Sequence, residues 1–280
     1  MLAYRHLFHA GNFADVFKHA LLARLVLALA AKDKPFCYLD THAGVGRYDL
    51  QHEWAQKLKE WQDGIGRVWG RDDAPELLRP YLDAVAAENR RGGLRFYPGS
   101  PRLVARLRRP GDRMVLVELN KDDCARLKKL FRDERAVQVE HGDGYHALTA
   151  HLPPIERRGL ILVDSSFDRR GEYTRIARAL QDAHRRFATG VYAIWYPLME
   201  TAAVRAFERA VAATGIRRIL RLEFSVLPEK WTASLRGCGL LVVNPPFGFD
   251  AEARALLGWL QPELAVQGKG GWSVDWLVAE

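Results

Sequence analysis

One stretch of the sequence, LILVDSSFD at residues 160–168, carries residue types that could orient an amine for methylation. The exocyclic amine of adenine is a poor nucleophile, because its lone pair is delocalised into the ring. An acid and the next backbone carbonyl can accept the two amine hydrogens while an aromatic ring stacks on the base, so positioning supplies much of the catalysis. We therefore predict Asp164 as the catalytic acceptor and Phe167 as the stacking ring.

A second stretch, LLVVNPPFG at residues 240–248, matches the Asp/Asn-Pro-Pro-aromatic pattern of amino methyltransferases more closely. Its strand is expected to run against the parallel strands of the sheet, because the connection that precedes it is too short for a crossover. Asn244 would then lie at the edge opposite to the ends of the parallel strands, where ligands bind. We favour Asp164 for catalysis and predict a rigid turn at residues 244–247.

The sequence LDTHAGVGRY, residues 39–48, places glycines directly after a predicted strand. Gly44 and Gly46 allow a tight turn and a close approach of the backbone to a ligand, although an ordinary strand-to-loop turn would look the same. Glu118 follows at the end of the next predicted core strand, where an acid can hold ribose hydroxyls. The two features together favour a nucleoside-containing cofactor.

Two further acids end predicted strands later in the chain. Asp143, between Gly142 and Gly144, could accept a hydrogen bond from an adenine amine, and Asp164 ends the strand after it. A nicotinamide cofactor would favour a tighter GxGxxG turn and a helix N-terminus for its pyrophosphate. S-adenosylmethionine carries no phosphate, so we predict S-adenosylmethionine as the cofactor.

Strand-like and helix-like stretches alternate along most of the chain, which predicts an α/β fold with a parallel sheet covered on both faces. The first helix begins at Phe13 with Asn12 as its cap and ends before Lys34-Pro35. The last two strands should be antiparallel, so the architecture is a Rossmann-like methyltransferase sheet that ends in an antiparallel hairpin. Residues 51–93 read as a helical insertion, which divides the chain into a methyltransferase domain at 1–50 and 94–280 and an insertion subdomain at 51–93.

The overall composition narrows the possible partners and compartments. A net charge of +8 and clustered arginines are compatible with a polyanionic partner or with a merely basic soluble enzyme. Three cysteines without metal spacing indicate reduced thiols in a cytoplasm, and no metal site is predicted. A signal peptide is not expected, and the longest apolar run, residues 20–31, contains Arg24 and is too short to span a membrane.

Seven stretches together resemble the ribosomal RNA large subunit methyltransferase J family of 23S rRNA adenine N6-methyltransferases. They are YRHLFHAGNFADVFKH, KPFCYLDTHAGVGRY, FYPGSP, RRGLILVD, RFATGVYAIWYP, ATGIRRIL and VVNPPF. The resemblance implies cofactor contacts from His19, His42, Ser100, Glu118, Asp143 and Gly144. It also implies that Asp164 is catalytic, and that Tyr4, His6 and Lys18 contact the RNA or help to close the site. The expected substrate is 23S rRNA, protein-free or early in assembly, and a monomer is favoured.

The chain departs from the family pattern at the catalytic stretch, where DPPY appears as DSSF. Phe167 keeps a stacking face, but Ser165 and Ser166 lack the fixed φ of proline, so the loop loses preorganisation. Two alternatives therefore stay open. One is a catalytically impaired RNA-binding homologue, and the other is a methyltransferase that acts on adenine in DNA.

Overall fold

An eight-stranded sheet forms the centre of the protein in a computed structural model that describes residues 4–168, 170–228 and 235–280. The strands are β1 Cys37–Asp40, β2 Arg47–Asp49, β3 Phe96–Pro98, β4 Arg113–Glu118, β5 Val137–His141, β6 Gly159–Val163, β7 Val191–Pro197, β8 Ile219–Ser225, β9 Gly237–Val243 and β10 Gly271–Val278. The helices are α1 Phe13–Ala30, α2 Glu53–Leu58, α3 Ile65–Val68, α4 Arg79–Glu88, α5 Ser100–Leu107, α6 Lys121–Leu130, α7 Gly144–His151, α8 Glu172–Arg186, α9 Thr201–Ala212 and α10 Phe249–Leu264.

The strand order is β10-β8-β9-β7-β6-β1-β4-β5, and β2 and β3 pair separately as an antiparallel ribbon. Strands β5, β4, β1, β6 and β7 are parallel, whereas β9 is antiparallel to both β7 and β8. The predicted parallel sheet with an antiparallel pair beside it is therefore confirmed. The carboxyl ends of β1, β4, β5, β6 and β7 meet at one edge, which is where a ligand site is expected.

Two apolar layers cover the sheet. One layer contains α1, α5, α10 and the apolar side of α6, and the other contains α7, α8 and α9. Helix α1 is buried along most of its length, which explains why its sequence is apolar nearly all round. The Asn12 side chain accepts a hydrogen bond from the Asp15 N–H at 3.0 Å, so the predicted cap is confirmed.

The helical stretch after residue 51 is more broken than its sequence predicts. Within the predicted helical insertion, α2 ends where Lys59 adopts a left-handed conformation, with φ of 54°. The chain then turns so that the Ile65 N–H donates to the Gly11 carbonyl at 2.8 Å, which ties this segment to the start of α1. Buried side chains of α3 and α4 join the same core as α1. The division into a subdomain at 51–93 stays a prediction.

The C-terminal region adds two elements that the sequence pattern did not predict. Helix α10 packs on α1, and β10 pairs antiparallel with β8, so the sheet continues for one strand beyond the predicted hairpin. The connection between β8 and β9 lies partly outside the described residues. All three cysteines are buried and unpaired. None of the described helices is both long enough and apolar enough to cross a membrane.

Candidate active site

A cleft of about 690 Å³ opens at the edge where the parallel strands end. Except for Gly46 of the glycine turn, it is lined by the residues that the sequence analysis predicted for catalysis, cofactor binding or substrate binding: Tyr4, His6, Lys18, His19, His42, Gly44, Ser100, Glu118, Asp143, Gly144, Asp164 and Phe167. The structure brings these side chains together in one space, although their individual roles stay predictions.

The glycine turn after β1 is held by the acid that ends β4. The Gly44 N–H donates to Glu118 Oε2 at 2.8 Å, and the Asn120 N–H donates to Glu118 Oε1 at 2.6 Å. Gly44 has φ of 61°, a conformation that side chains rarely adopt. Burial raises the pKa of Glu118, and the two backbone donors partly offset that rise. Each carboxylate oxygen keeps further acceptor capacity, so Glu118 can still bind a ligand hydroxyl.

The third strand end is built around Asp143, which caps α7. Asp143 Oδ1 accepts from the Tyr145 N–H at 2.9 Å, and Oδ2 accepts from the Arg175 guanidinium at 2.6 Å. Burial opposes ionisation, but the hydrogen bonds from Arg175 and from the backbone, together with the charge of Arg175, outweigh it and lower the pKa of Asp143. Gly144 packs so tightly that a Cβ there would lie 2.0 Å from the carbonyl oxygen of Thr41. The floor of the cleft at this point can therefore be made only by glycine.

We expect Gly144→Ala to lower the free energy of unfolding by about 1–3 kcal/mol and to weaken cofactor binding, because the Thr41 backbone must move. Gly142→Ala is the matched control, since the nearest atom to its Cβ would be Val117 Cγ1 at 4.0 Å, which is an ordinary contact. Thermal unfolding and titration with S-adenosylmethionine measure the two effects. Equal behaviour of the two variants would contradict the packing argument.

A buried acid, Asp40, lies beneath the turn and was missed by the sequence analysis. It accepts hydrogen bonds from Tyr38 Oη at 2.8 Å, Ser100 Oγ at 2.7 Å and the His42 N–H at 3.2 Å. Burial raises the pKa of Asp40 to about 6, against the three donors that stabilise its anion. Asp40 thus positions Ser100 and His42 from behind without itself lining the cleft. Its place at the end of β1, like that of Glu118 at the end of β4, is the signal that could have identified it.

Two histidines that line the cleft, His19 and His42, have lowered pKa values. Burial lowers the pKa of His19 to about 3, and its Nδ1 lies 2.7 Å from Tyr97 Oη. Burial also lowers the pKa of His42, whose ring meets Tyr145 edge-on at 5.4 Å. Neutral imidazoles can serve as hydrogen-bonding walls for a ligand without adding charge.

A network of charged groups joins α1 to the end of β6. Lys18 Nζ lies 2.9 Å from Asp15 Oδ1 and 2.6 Å from Asp164 Oδ2, and His6 Nε2 lies 3.0 Å from Asp15 Oδ2. Burial opposes the charges of Asp15 and Lys18, but the surrounding charges prevail, so the pKa of Asp15 is lowered well below its usual value and that of Lys18 is raised. Tyr4 Oη lies 2.8 Å from His6 Nδ1 and so joins the N-terminal segment to this network. Asp15 was also missed by the sequence analysis, because an acid in the first turn of a helix is an ordinary feature.

The Asp-Ser-Ser-Phe loop is held by hydrogen bonds where prolines were expected. Ser165 Oγ and Tyr145 Oη both donate to Glu172 Oε1, each at 2.5 Å. Ser166 Oγ donates to Asp168 Oδ1 at 2.6 Å. These are short, charge-assisted bonds, which are stronger than neutral ones. The serines therefore restrain the loop through their side chains.

Phe167 is held in an uncommon backbone conformation. Its φ is 54°, which costs on the order of 1–3 kcal/mol for an aromatic residue unless its surroundings impose it. Its ring centroid lies 4.8 Å from that of Tyr173 and 5.9 Å from that of Trp195. These two aromatic contacts hold the ring half-buried at the wall of the cleft, where one face can meet a ligand base.

The competing Asn-Pro-Pro-Phe stretch lies away from the cleft. Val243, the last residue of β9, is opposite Tyr192 near the start of β7, so the strand ends at the other edge of the sheet. The Asn244 amide donates to the carbonyls of Ala188 and Gly190 at 2.8 and 2.9 Å. The prediction that this motif closes a turn at the opposite edge is confirmed. Within the described residues, no cluster of three or more His, Cys, Asp or Glu could hold a metal ion.

The parallel sheet, its antiparallel extension and the glycine turn with strand-end acids define the fold class as that of the Rossmann-like methyltransferases. The family model described as "Ribosomal RNA large subunit methyltransferase D, RlmJ" matches residues 33–278. The chain belongs to this ribosomal RNA large subunit methyltransferase family.

Similar proteins agree with this assignment over the full chain. The Ribosomal RNA large subunit methyltransferase J of Escherichia coli (strain K12) is 42% identical over 280 residues, which is 100% of both chains. The protein of the same name from Haemophilus influenzae is 40% identical over 281 residues, again 100% of both chains. A crystal structure of a Legionella pneumophila protein, LPL1258, has a TM-score of 0.90 and 37% identity, and the match covers 96% of this chain and 98% of that one.

Proposed function

We propose that the protein transfers a methyl group from S-adenosylmethionine to N6 of a specific adenine in 23S rRNA. The observation that carries the proposal is the position of Asp164, tied to Lys18 at 2.6 Å, in the same cleft as the glycine turn, Glu118 and Asp143. Family membership supports the substrate class. The substrate would be protein-free or early-assembly RNA, met in the cytoplasm by a monomer whose residues 51–93 form a helical subdomain.

The residues around the glycine turn fit an S-adenosyl nucleoside. Glu118 would accept from the ribose hydroxyls, Asp143 would accept from the adenine amine, and the Gly144 backbone would allow the base to approach closely. Ser100 already donates to Asp40, so its oxygen faces a ligand as an acceptor. His19 and His42 would complete the polar wall. S-adenosylmethionine, when bound, supplies an electrophilic methyl group on its sulfonium.

Asp164 would orient the amine of the target adenine. Lys18 occupies Asp164 Oδ2, which leaves Oδ1 to accept one amine hydrogen while the Ser165 carbonyl accepts the other. Drawing both hydrogens into acceptors favours a tetrahedral nitrogen whose lone pair is available for attack. Phe167 would stack on the base, and Tyr4 and His6 would close the cleft over it. A target base inside an RNA structure must first leave its stack to reach this position.

Methyl transfer to protein-free 23S rRNA tests the proposal. Purified protein, S-adenosylmethionine labelled on the methyl group and transcribed 23S rRNA should give N6-methyladenosine on digestion to nucleosides. Adenine-containing DNA of the same length, at equal salt, is the parallel substrate, because both polymers present the same base and similar charge. Label in DNA but not in RNA would make the protein a DNA adenine methyltransferase, and label at another nucleoside position would overturn the N6 assignment.

Ser165 and Ser166, which stand where the family pattern has prolines, favour a second candidate function, that of an RNA-binding homologue with impaired turnover. Ser165 and Ser166 are both turned to side-chain acceptors, so the loop could be held away from the productive position. This candidate requires binding of S-adenosylmethionine and RNA without turnover, and turnover gained on Ser165→Pro with Ser166→Pro. Turnover that is present in the unaltered protein and falls in that double variant would reject it.

A further inference from the structure

A second groove, of about 560 Å³, lies beside the active-site cleft. We call it the basic groove. It is defined by its cationic lining residues, with Arg47 on one side and Arg126, Lys129 and Arg132 on the other. Arg47 belongs to the β2–β3 ribbon, whereas the other three project from α6 and the turn after it. Arg126 and Lys129 are three apart on α6 and so lie on one face, and Arg132 follows in the turn, so that all three side chains line the groove.

The basic groove carries an excess of positive charge. Its lining contains the four cations named above and two carboxylates, those of Asp49 and Asp133. Asp49 is already engaged by Arg95 at 2.9 Å, outside the groove lining. Asp133 contacts Arg132 at 3.2 Å, but the two side chains are 87% and 70% exposed, so their pair is worth little. Arg47 lies 3.6 Å from the buried carboxylate of Glu88, so the cations most available to an anionic partner are Arg126, Lys129 and Arg132.

Two of the cations on α6 are bound only loosely by the protein. Arg126 is 68% exposed and lies 3.8 Å from Asp123. Lys129 is exposed and has no hydrogen-bond or ion-pair partner among the described residues. The lining of the groove also includes the apolar side chains of Leu7, Val45 and Leu130. Cations together with apolar side chains suit a polyanion whose sugars and bases can also make apolar contact.

The basic groove adjoins the active-site cleft through a shared wall. Tyr48 lines both cavities, and the His6 ring packs edge-on against it with centroids 5.0 Å apart. In the N-terminal segment, Tyr4 and His6 line the cleft while Leu7 lines the groove. A chain that leaves the cleft past this wall therefore meets the cations of the groove next.

We propose that the basic groove binds the phosphate backbone of the single-stranded RNA segment next to the target adenine. The proposal rests on the proposed function and deepens it, because it says where the rest of the substrate lies when the adenine occupies the cleft. Each phosphate neutralised by a Lys or Arg releases counterions, so the groove would contribute affinity that weakens with salt. It would not by itself select a base, since phosphate contacts position the nucleic acid without reading its sequence.

The test removes three positive charges from the groove and compares RNA binding with that of a variant that loses three positive charges on another surface. The groove variant is Arg126→Ala, Lys129→Ala and Arg132→Ala. The control variant is Arg178→Ala, Arg205→Ala and Arg209→Ala, which removes three exposed cations from α8 and α9 on the other face of the sheet. Both variants change solvent-exposed side chains, so their melting temperatures should stay close to that of the unaltered protein.

The measurement is the Kd for protein-free 23S rRNA at several salt concentrations between about 50 and 200 mM, with the Kd for S-adenosylmethionine in parallel. In the groove variant we expect the RNA Kd to rise at least tenfold at low salt. The slope of log affinity against log salt should become shallower by about 2, since each single-strand phosphate contact contributes roughly 0.7. Cofactor binding should not change, and the control variant should keep most of the affinity and the slope.

The outcomes separate the groove from the proposed function. An equal loss of RNA affinity in both triple variants would overturn the groove, because net charge alone would then explain binding. An unchanged slope in the groove variant would also overturn it. Selective loss of RNA binding in the groove variant, together with no methyl transfer by the unaltered protein, would support the groove while rejecting the proposed activity.

Discussion

Replacing Asp164 by alanine is expected to lower the turnover number for methyl transfer to 23S rRNA by at least about a hundredfold. The substitution removes the side-chain acceptor that would orient the amine, and the loss of one preorganised polar contact at a reacting centre commonly costs that much. Lys18 keeps its contact with Asp15 at 2.9 Å, so the buried ammonium is not left without a partner. We therefore expect the folded state and cofactor binding to survive, and the defect to appear in turnover.

Two further variants define the reason for the loss. Asp164→Asn retains an acceptor oxygen but removes the charge that faces Lys18, so it should retain more activity than Asp164→Ala. Asp182→Ala removes a carboxylate on α8 that is 61% exposed, and it should behave like the unaltered protein. Single-turnover rates with saturating S-adenosylmethionine are the measurement. Full activity in Asp164→Ala, with N6-methyladenosine still formed, would remove Asp164 from the mechanism.

The central sheet could be predicted from the sequence because burial leaves a direct pattern. All five residues of β6 are buried, as expected for a central parallel strand that reads as one apolar run. The choice of Asp164 over Asn244 as the catalytic residue also followed from strand direction alone, since a strand that runs antiparallel to its neighbours ends at the opposite edge of the sheet. By contrast, the break between α2 and α3 depends on a hydrogen bond from Ile65 to Gly11, which no local pattern encodes.

The residues of the candidate site that end strands could be predicted from the sequence. The residues that only hold other side chains in position could not. Glu118 and Asp164 end or follow apolar runs, whereas Asp143 follows the alternating pattern of β5, and parallel pairing of the three strands places all three acids at one edge. Asp15 looks like an ordinary acid at the start of a helix, and its role depends on the contact between Lys18 and Asp164 across 146 residues of sequence. Glu172 can be recognised only in the structure, where the hydroxyls of Ser165 and Tyr145 both donate to its carboxylate.

The hydrogen bonds to Glu172 explain how a loop without prolines can stay preorganised. Ser165 Oγ and Tyr145 Oη both donate to Glu172 Oε1, and Glu172 is itself buried at the first turn of α8. The Ser165 backbone carbonyl is the second proposed acceptor for the amine, so its position depends on this contact. A carboxylate at the start of a helix is also stabilised by the helix dipole. In the proposed mechanism Glu172 would therefore act as a positioning residue for the acceptor pair.

Glu172→Leu is expected to lower the turnover number by up to about a hundredfold, because a misplacement of roughly 1 Å at a reacting centre can cost that much. Glu172→Gln keeps an acceptor oxygen of nearly the same shape and should restore most of the rate. Ser165→Ala should lower the rate in the unaltered background but have little further effect in Glu172→Leu, since the two residues act through one contact. Single-turnover rates for the unaltered protein, Glu172→Leu, Ser165→Ala and the double variant measure this coupling. Equal losses in Glu172→Gln and Glu172→Leu would show that the charge matters and the accepted hydrogen bonds do not, and additive losses in the double variant would separate Ser165 from Glu172 altogether.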